Sequence, residues 1–141
     1  MAAPVLTLIG PEPTEHELQI SCTGMFGVLL LPDVQWTATD LAHSLDPTIG
    51  RNGRPIGLIE AQKRKARGCR AGVPDYLFWH RGRGYAIELK RNASEGLSDD
   101  QRDFVTGLLA AEIPVKVCWT KPQVAETLQE WGLTRPFRVM A

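Results

Sequence analysis

No lysine or arginine occurs in the first 50 residues, yet six acids do (Glu12, Glu15, Glu17, Asp33, Asp40 and Asp46), leaving that stretch at −6. Such a segment cannot by itself hold a polyanion. Cysteine is scarce: Cys22, Cys69 and Cys118 lie far apart, with no CxxC pair among them. That spacing excludes a zinc site and a disulfide framework, and it reads as buried free thiols in a reducing compartment. Long apolar runs are missing as well. The longest, near Met25 to Leu31, is far short of the roughly 20 residues a membrane span needs. Nothing near Met1 combines a basic start with a cleavable apolar core, so the expectation is a cytoplasmic protein with no membrane partner. Repeats and low-complexity tracts are absent, and with them a repeat architecture.

What is present is a segregated charge. Residues 51 to 91 hold eleven bases against three acids (Glu60, Asp75, Glu88), giving +8, while 92 to 141 hold five bases against seven acids, giving −2. The formal net charge is therefore zero, which argues against indiscriminate nucleic-acid binding. A basic centre between acidic flanks is what a polyanion-binding face requires, although a solvated helix face gives the same pattern. At 141 residues, with 43% apolar and 23% charged content, the chain reads as one globular domain with a proper core.

Residues 1 to 13, with three prolines, read as an extended lead-in. Thr14-Glu15-His16-Glu17 has the form of a capping box, with Glu17 reaching back to Thr14 and a helix running on to about Leu30. Val34 to Thr39 reads as a short strand carrying Trp36, and Asp40 to Arg54 is turn-rich, with His43 in it. Pro55 suits the first turn of a helix that continues to Arg67, where Gly68 supplies the stop. Its later half, Lys63-Arg64-Lys65 with Arg67 and then Arg70, is strongly basic and could lie along a phosphate backbone. Ser98-Asp99-Asp100-Gln101 forms a second capping box ahead of an apolar helix. Val115 to Trp119 reads as a strand, Thr120 caps a last helix to about Trp131, and residues 133 to 141 read as an irregular tail.

Between the two capped helices lies the stretch that organises the chain. Asp75 to Trp79 reads as one strand and Tyr85 to Lys90 as its returning partner, joined by Arg81-Gly82-Arg83-Gly84. Side chains alternate across a strand, so Glu88 and Lys90 share a face while Leu89 points away, and pairing can bring Asp75 to them. Two converging carboxylates repel unless a cation lies between them, and hard oxygen ligands suit Mg²⁺. An ordinary Glu88/Lys90 pair on a solvated strand, with Asp75 as a turn residue, fits the spacing equally well.

Pro74-Asp75, twelve intervening residues and then Glu88-Leu89-Lys90 resemble the PD-(D/E)xK nuclease signature. Together with Gly68, Gly72-Val73, Gly96-Leu97-Ser98 and Gln101, they resemble the virus-type replication-repair nuclease (VRR-NUC) family over roughly residues 14 to 132. The resemblance implies an α/β fold: a mixed central sheet flanked by helices, with a restriction-endonuclease-like core. It implies a metal-dependent DNA endonuclease in which Asp75, Glu88 and the main-chain carbonyl of Leu89 hold Mg²⁺ or Mn²⁺. Lys90 would orient or help deprotonate the attacking water, and hydrolysis would leave a 5′-phosphate. The family's first motif, a helix glutamate followed four residues later by glutamine, falls on Glu15 and Gln19, making Glu15 a further metal or water ligand beside the capping Glu17. Gln101 has two compatible readings: a helix cap, and an active-site residue positioning water or phosphate.

Where the family has a compact Pro-Asn-Gly-like segment this chain departs from it, and Arg51-Asn52-Gly53-Arg54 stands in as a phosphate contact. Arg51, Arg54, Lys63, Arg64, Lys65, Arg67, Arg70 and Arg91 are the expected nucleic-acid residues. Small members of the family resemble Holliday junction resolvases, which implies branched DNA as partner. It also implies a two-fold dimer built on Met25 to Leu31 or on the tail around Phe137, with a role in replication, repair or phage DNA processing in a bacterial or phage-infected host. Two rivals stand beside this reading: a catalytically silent nuclease-like DNA-binding fold, and an unrelated interaction module.

Overall fold

The computed structural model describes residues 13 to 39 and 49 to 138. His43 and the rest of the segment before Ile49 lie outside the described residues, as does the lead-in before Pro13. The elements run α1 (Glu15–Leu29), β1 (Gln35–Ala38), α2 (Ile56–Ala66), β2 (Tyr76–His80), β3 (Arg83–Leu89), α3 (Asp99–Ala110), β4 (Val115–Cys118) and α4 (Lys121–Glu130). They form the expected mixed α/β architecture: one four-stranded sheet in the order β1-β2-β3-β4, with helices packed on it.

β1, β2 and β3 pair antiparallel, and β4 lies parallel to β3 after the α3 crossover. The β2–β3 turn is tighter than the four residues read from the sequence. His80 pairs directly with Arg83, leaving only Arg81 and Gly82 in the loop. Both have positive φ, 48° and 79°, as the two-residue turn matched to strand twist demands.

Alternation sorts the sheet's two faces. Tyr76, Phe78, Tyr85, Ile87, Leu89 and Cys118 point to one side, where they pack with Leu18, Cys22 and Phe26 of α1 and with Val124 and Leu128 of α4. Phe26 sits at the centre of this core, edge-on to Tyr76 at 4.8 Å, Trp36 at 5.0 Å and Phe78 at 5.4 Å. With Phe26 and Leu30 buried, most of the Met25–Leu31 segment is core rather than a free docking patch. Val28 is the exposed large apolar residue in it, at 79%.

One further expectation is corrected. Cys22 and Cys118 are buried free thiols, but Cys69 is exposed, because it follows the end of α2 in a loop that packs into no core. The chain after Gly132 forms no helix or strand among the described residues, but its start is tied to α1. Leu133 is fully buried, its carbonyl accepts from Leu31 N at 2.9 Å, and Arg135 N donates to Leu29 O at 2.9 Å. These bonds satisfy main-chain groups at the end of α1 that would otherwise be orphaned. Among the described residues no helix is long and apolar enough to cross a membrane.

Candidate active site

The site lies where β3 ends, between the first turns of α1 and α3. Glu88 and Lys90 project from β3 to the face opposite the aromatic core, and both are buried, at 2% and 5% exposure. Charges this deep need partners. Lys90 Nζ lies 3.8 Å from Glu88 Oε1 and donates to Gln101 Oε1 at 2.8 Å. Gln101 Nε2 in turn donates to Glu88 Oε1 at 2.7 Å. One amide thus bridges the acid and the base.

The same Gln101 closes the α3 capping box. Its Oε1 accepts from Ser98 N at 2.9 Å, and its own N–H donates to Ser98 Oγ at 3.2 Å. The cap is made, and the same amide also reaches Lys90 and Glu88.

Asp75 enters from the residue before β2. Its Oδ2 accepts from Leu89 N at 2.7 Å, which ties the carboxylate to the strand that carries Glu88. At the first turn of α1 the two adjacent acids separate as the sequence suggested. Glu17 is spent in the cap, accepting from Thr14 N at 2.7 Å. Glu15 is free to turn inward, and carboxylate oxygens of Glu15, Asp75 and Glu88 all lie within 4.8 Å of one another.

All three acids are displaced toward the protonated form. Burial, then the charge of Asp75, pushes Glu88 up to about 8, only partly relieved by Lys90. Burial raises Asp75 too, against the lowering effect of the Leu89 N–H and Lys90. Glu15 is raised by burial and next by Glu95. A set of oxygens crowded enough to resist ionisation is a set that a divalent cation would relieve.

Glu95 was missed in the sequence. It belongs to the polar loop after Lys90, where its carboxylate accepts from Arg91 N at 2.9 Å and also meets Glu15. The only available signal was an acid close behind the Glu-Leu-Lys triplet.

The expected nucleic-acid residues are spread over several elements. Arg51 and Arg54 are exposed on a tight loop closed by Gly50 N donating to Arg54 O at 2.8 Å. Lys63, Arg64 and Lys65 form the last turn of α2, Arg67 caps it, and Arg91 follows Lys90 directly. Arg70 is pinned over the Phe104 ring at 4.9 Å. Arg64, Lys65 and Arg70 line a cavity of about 500 Å³ together with Asp100 and Asp103, so this part of the basic surface is mixed in sign.

The VRR-NUC domain model matches residues 19–122, about three quarters of the chain. The chain belongs to the VRR-NUC family. Comparison with curated proteins and with solved structures gives no match. VRR-NUC membership brings the PD-(D/E)xK-like nuclease fold, a nuclease role in replication or repair, and DNA as the substrate. Asp75, Glu88, Lys90 and Gln101 fall inside the VRR-NUC match, whereas Glu15 lies just before it and joins the others only through the fold.

Proposed function

We propose that this chain is a Mg²⁺- or Mn²⁺-dependent DNA endonuclease that hydrolyses phosphodiester bonds in branched DNA. One observation carries the reading: oxygens of Glu15, Asp75 and Glu88 converge within 4.8 Å, with the Lys90 ammonium beside them. The donor set fits a hard divalent cation, since it is all carboxylate and each member is pushed toward protonation by burial or by its neighbours.

In this mechanism Asp75 and Glu88 hold the cation, with Glu15 and the Leu89 carbonyl as further ligands. When bound, such a cation acidifies water and offsets charge growing on the scissile phosphate. Lys90 stands next to Glu88 and offers a proton-bearing group to the attacking water and to the transition-state anion. Gln101 holds Lys90 and Glu88 in mutual register and keeps each from being an unpaired buried charge. Water adds to phosphorus as the P–O3′ bond breaks, so the leaving strand departs with a 3′-hydroxyl and the 5′-phosphate stays on the other strand, as in the wider superfamily. Arg51, Arg54, Lys63, Arg64, Lys65, Arg67, Arg70 and Arg91 supply backbone contacts that set register without reading sequence.

A two-fold dimer belongs to the same reading. Its support is the outer side of α1, where Ile20 and Val28 are 60% and 79% exposed. Sedimentation showing only monomer would remove it.

The test of the enzyme is incubation with four-way, flapped and linear DNA in Mg²⁺ or Mn²⁺, beside Asp75→Ala and Lys90→Ala. Metal-dependent cutting lost in both variants is expected. Retention of DNA with no cutting would instead make the chain a silent nuclease-like binder, and no affinity for any DNA would remove both readings.

A further inference from the structure

A second concavity, of about 340 Å³, adjoins the carboxylate cluster, and the hydrolytic mechanism makes no use of it. Its position follows from the sheet. β3 and β4 run parallel with Leu89 level with Cys118, and Lys90 N donates to Cys118 O at 2.9 Å. Lys90 is therefore level with Trp119, and Arg91, one residue further on, lines the concavity together with Trp119. Pro13 and Leu18 give it apolar surface, and Lys121 adds a second cation. The first turn of α1 separates the two sites: Glu15 faces the carboxylates, while Glu17 and Leu18 face the concavity.

Trp119 is the unusual member. Its backbone is fixed, because its N–H donates to Gln123 Oε1 at 2.8 Å, yet 37% of the residue remains in solvent. A large aromatic residue left partly in solvent where it lines a pocket forgoes burial that folding would otherwise collect. Lys121 makes no ion pair among the described residues. A partly exposed tryptophan beside two cations, with Glu17 as the one acid in the lining, is a combination that can receive an unstacked base and its phosphates. A base inside a duplex has both faces covered and cannot use the ring.

We infer that this concavity seats an unpaired nucleotide of the DNA strand next to the scissile phosphate, its base stacked on Trp119 and its phosphates met by Lys121 and Arg91. The inference rests on the nuclease reading for its position in the reaction. It narrows the substrate to DNA that is single-stranded beside the cut, such as a flap or splayed arm, over a fully paired junction.

Binding is measured without cutting, by fluorescence anisotropy in metal-free buffer, using a labelled oligothymidylate and a blunt hairpin duplex of equal length. Trp119→Ala is expected to weaken the single strand about tenfold and to leave the duplex nearly unchanged, with Trp119→Phe recovering most of the loss. Lys121→Ala should reduce the salt dependence of single-strand binding by roughly one phosphate contact. In Mg²⁺, Trp119→Ala should slow cutting of a flap more than cutting of a four-way junction. Equal loss on single strand and duplex, no loss on either, or no single-strand binding by the unaltered protein would each overturn the inference. Should the unaltered protein cut no DNA at all, the nuclease reading fails, while Trp119-dependent single-strand binding is still decided by the anisotropy series.

Discussion

At the scale of single residues, the crowding of carboxylates has a measurable price in stability. Glu88 rises from its ordinary 4.5 to about 8 on folding, so between those values the folded chain binds more protons than the unfolded one. Stability must then fall as pH climbs through that window and level off above it. We expect the melting temperature of the metal-free protein to drop by several degrees between pH 5 and pH 8, with Mg²⁺ restoring most at the alkaline end and Glu88→Gln flattening the profile. An unchanged slope in Glu88→Gln would assign the effect to other groups. Gln101 gives a second prediction. Gln101→Ala strips a hydrogen bond from both Lys90 and Glu88, which should cost about 1–3 kcal/mol by denaturant unfolding and about 10–100-fold in cutting rate. Wild-type kinetics in that variant would reduce Gln101 to a helix cap. Part of this cluster was legible beforehand: strand alternation puts Glu88 beside Lys90, and the family resemblance pointed to Glu15, with Glu17 assigned to the Thr14 cap that the structure shows. Glu95 was not, since its approach to Glu15 depends on how a loop folds back through its bond to Arg91.

At the scale of elements, the site is held by a contact between a loop and a helix start. Gly72, at φ +86°, passes so close to α3 that a Cβ would collide with the Asp100 carbonyl and crowd Gln101 N. Gly72→Ala must therefore push α3 away from the entry to β2, and the Gln101 bridge with it. We expect Gly72→Ala to lose cutting and at least about 1 kcal/mol of stability. Gly68→Ala, equally left-handed at φ +98° but facing open space, should lose stability with cutting largely retained. Comparable kinetics in the two variants would show that the close approach does not transmit to the site. Helix starts were readable from sequence because a capping box is complete within four residues, as at Thr14 and Ser98. The two-residue hairpin turn was not, because it places Arg81 in the left-handed region that Asn or Gly would ordinarily announce. The β3–β4 register, with Leu89 level with Cys118, was also out of reach, since no local signal sets which residues of two strands separated by a helix lie side by side.

At the scale of the whole molecule, zero net charge conceals a basic middle third, and the electrostatics of DNA binding should follow the local charge and not the sum. α2 buries only Gly57, so the cations at its end are carried on an element that contributes little to the core. Lys63 is 61% exposed, and its pairing with Glu60 at 3.6 Å is a surface contact of small worth. Replacing Lys63 and Arg67 together by alanine should leave the melting temperature within about a degree of the unaltered protein, since neither side chain is packed. The same variant should weaken binding to every DNA alike and lower the slope of log affinity against log salt by roughly two, one per lost phosphate contact. A salt titration of a non-cleavable duplex decides it. An unaltered slope would move the DNA path off α2 and onto Arg51, Arg54 and Arg91, whereas a loss confined to one DNA structure would make α2 a reader of branch geometry in place of a general phosphate rail.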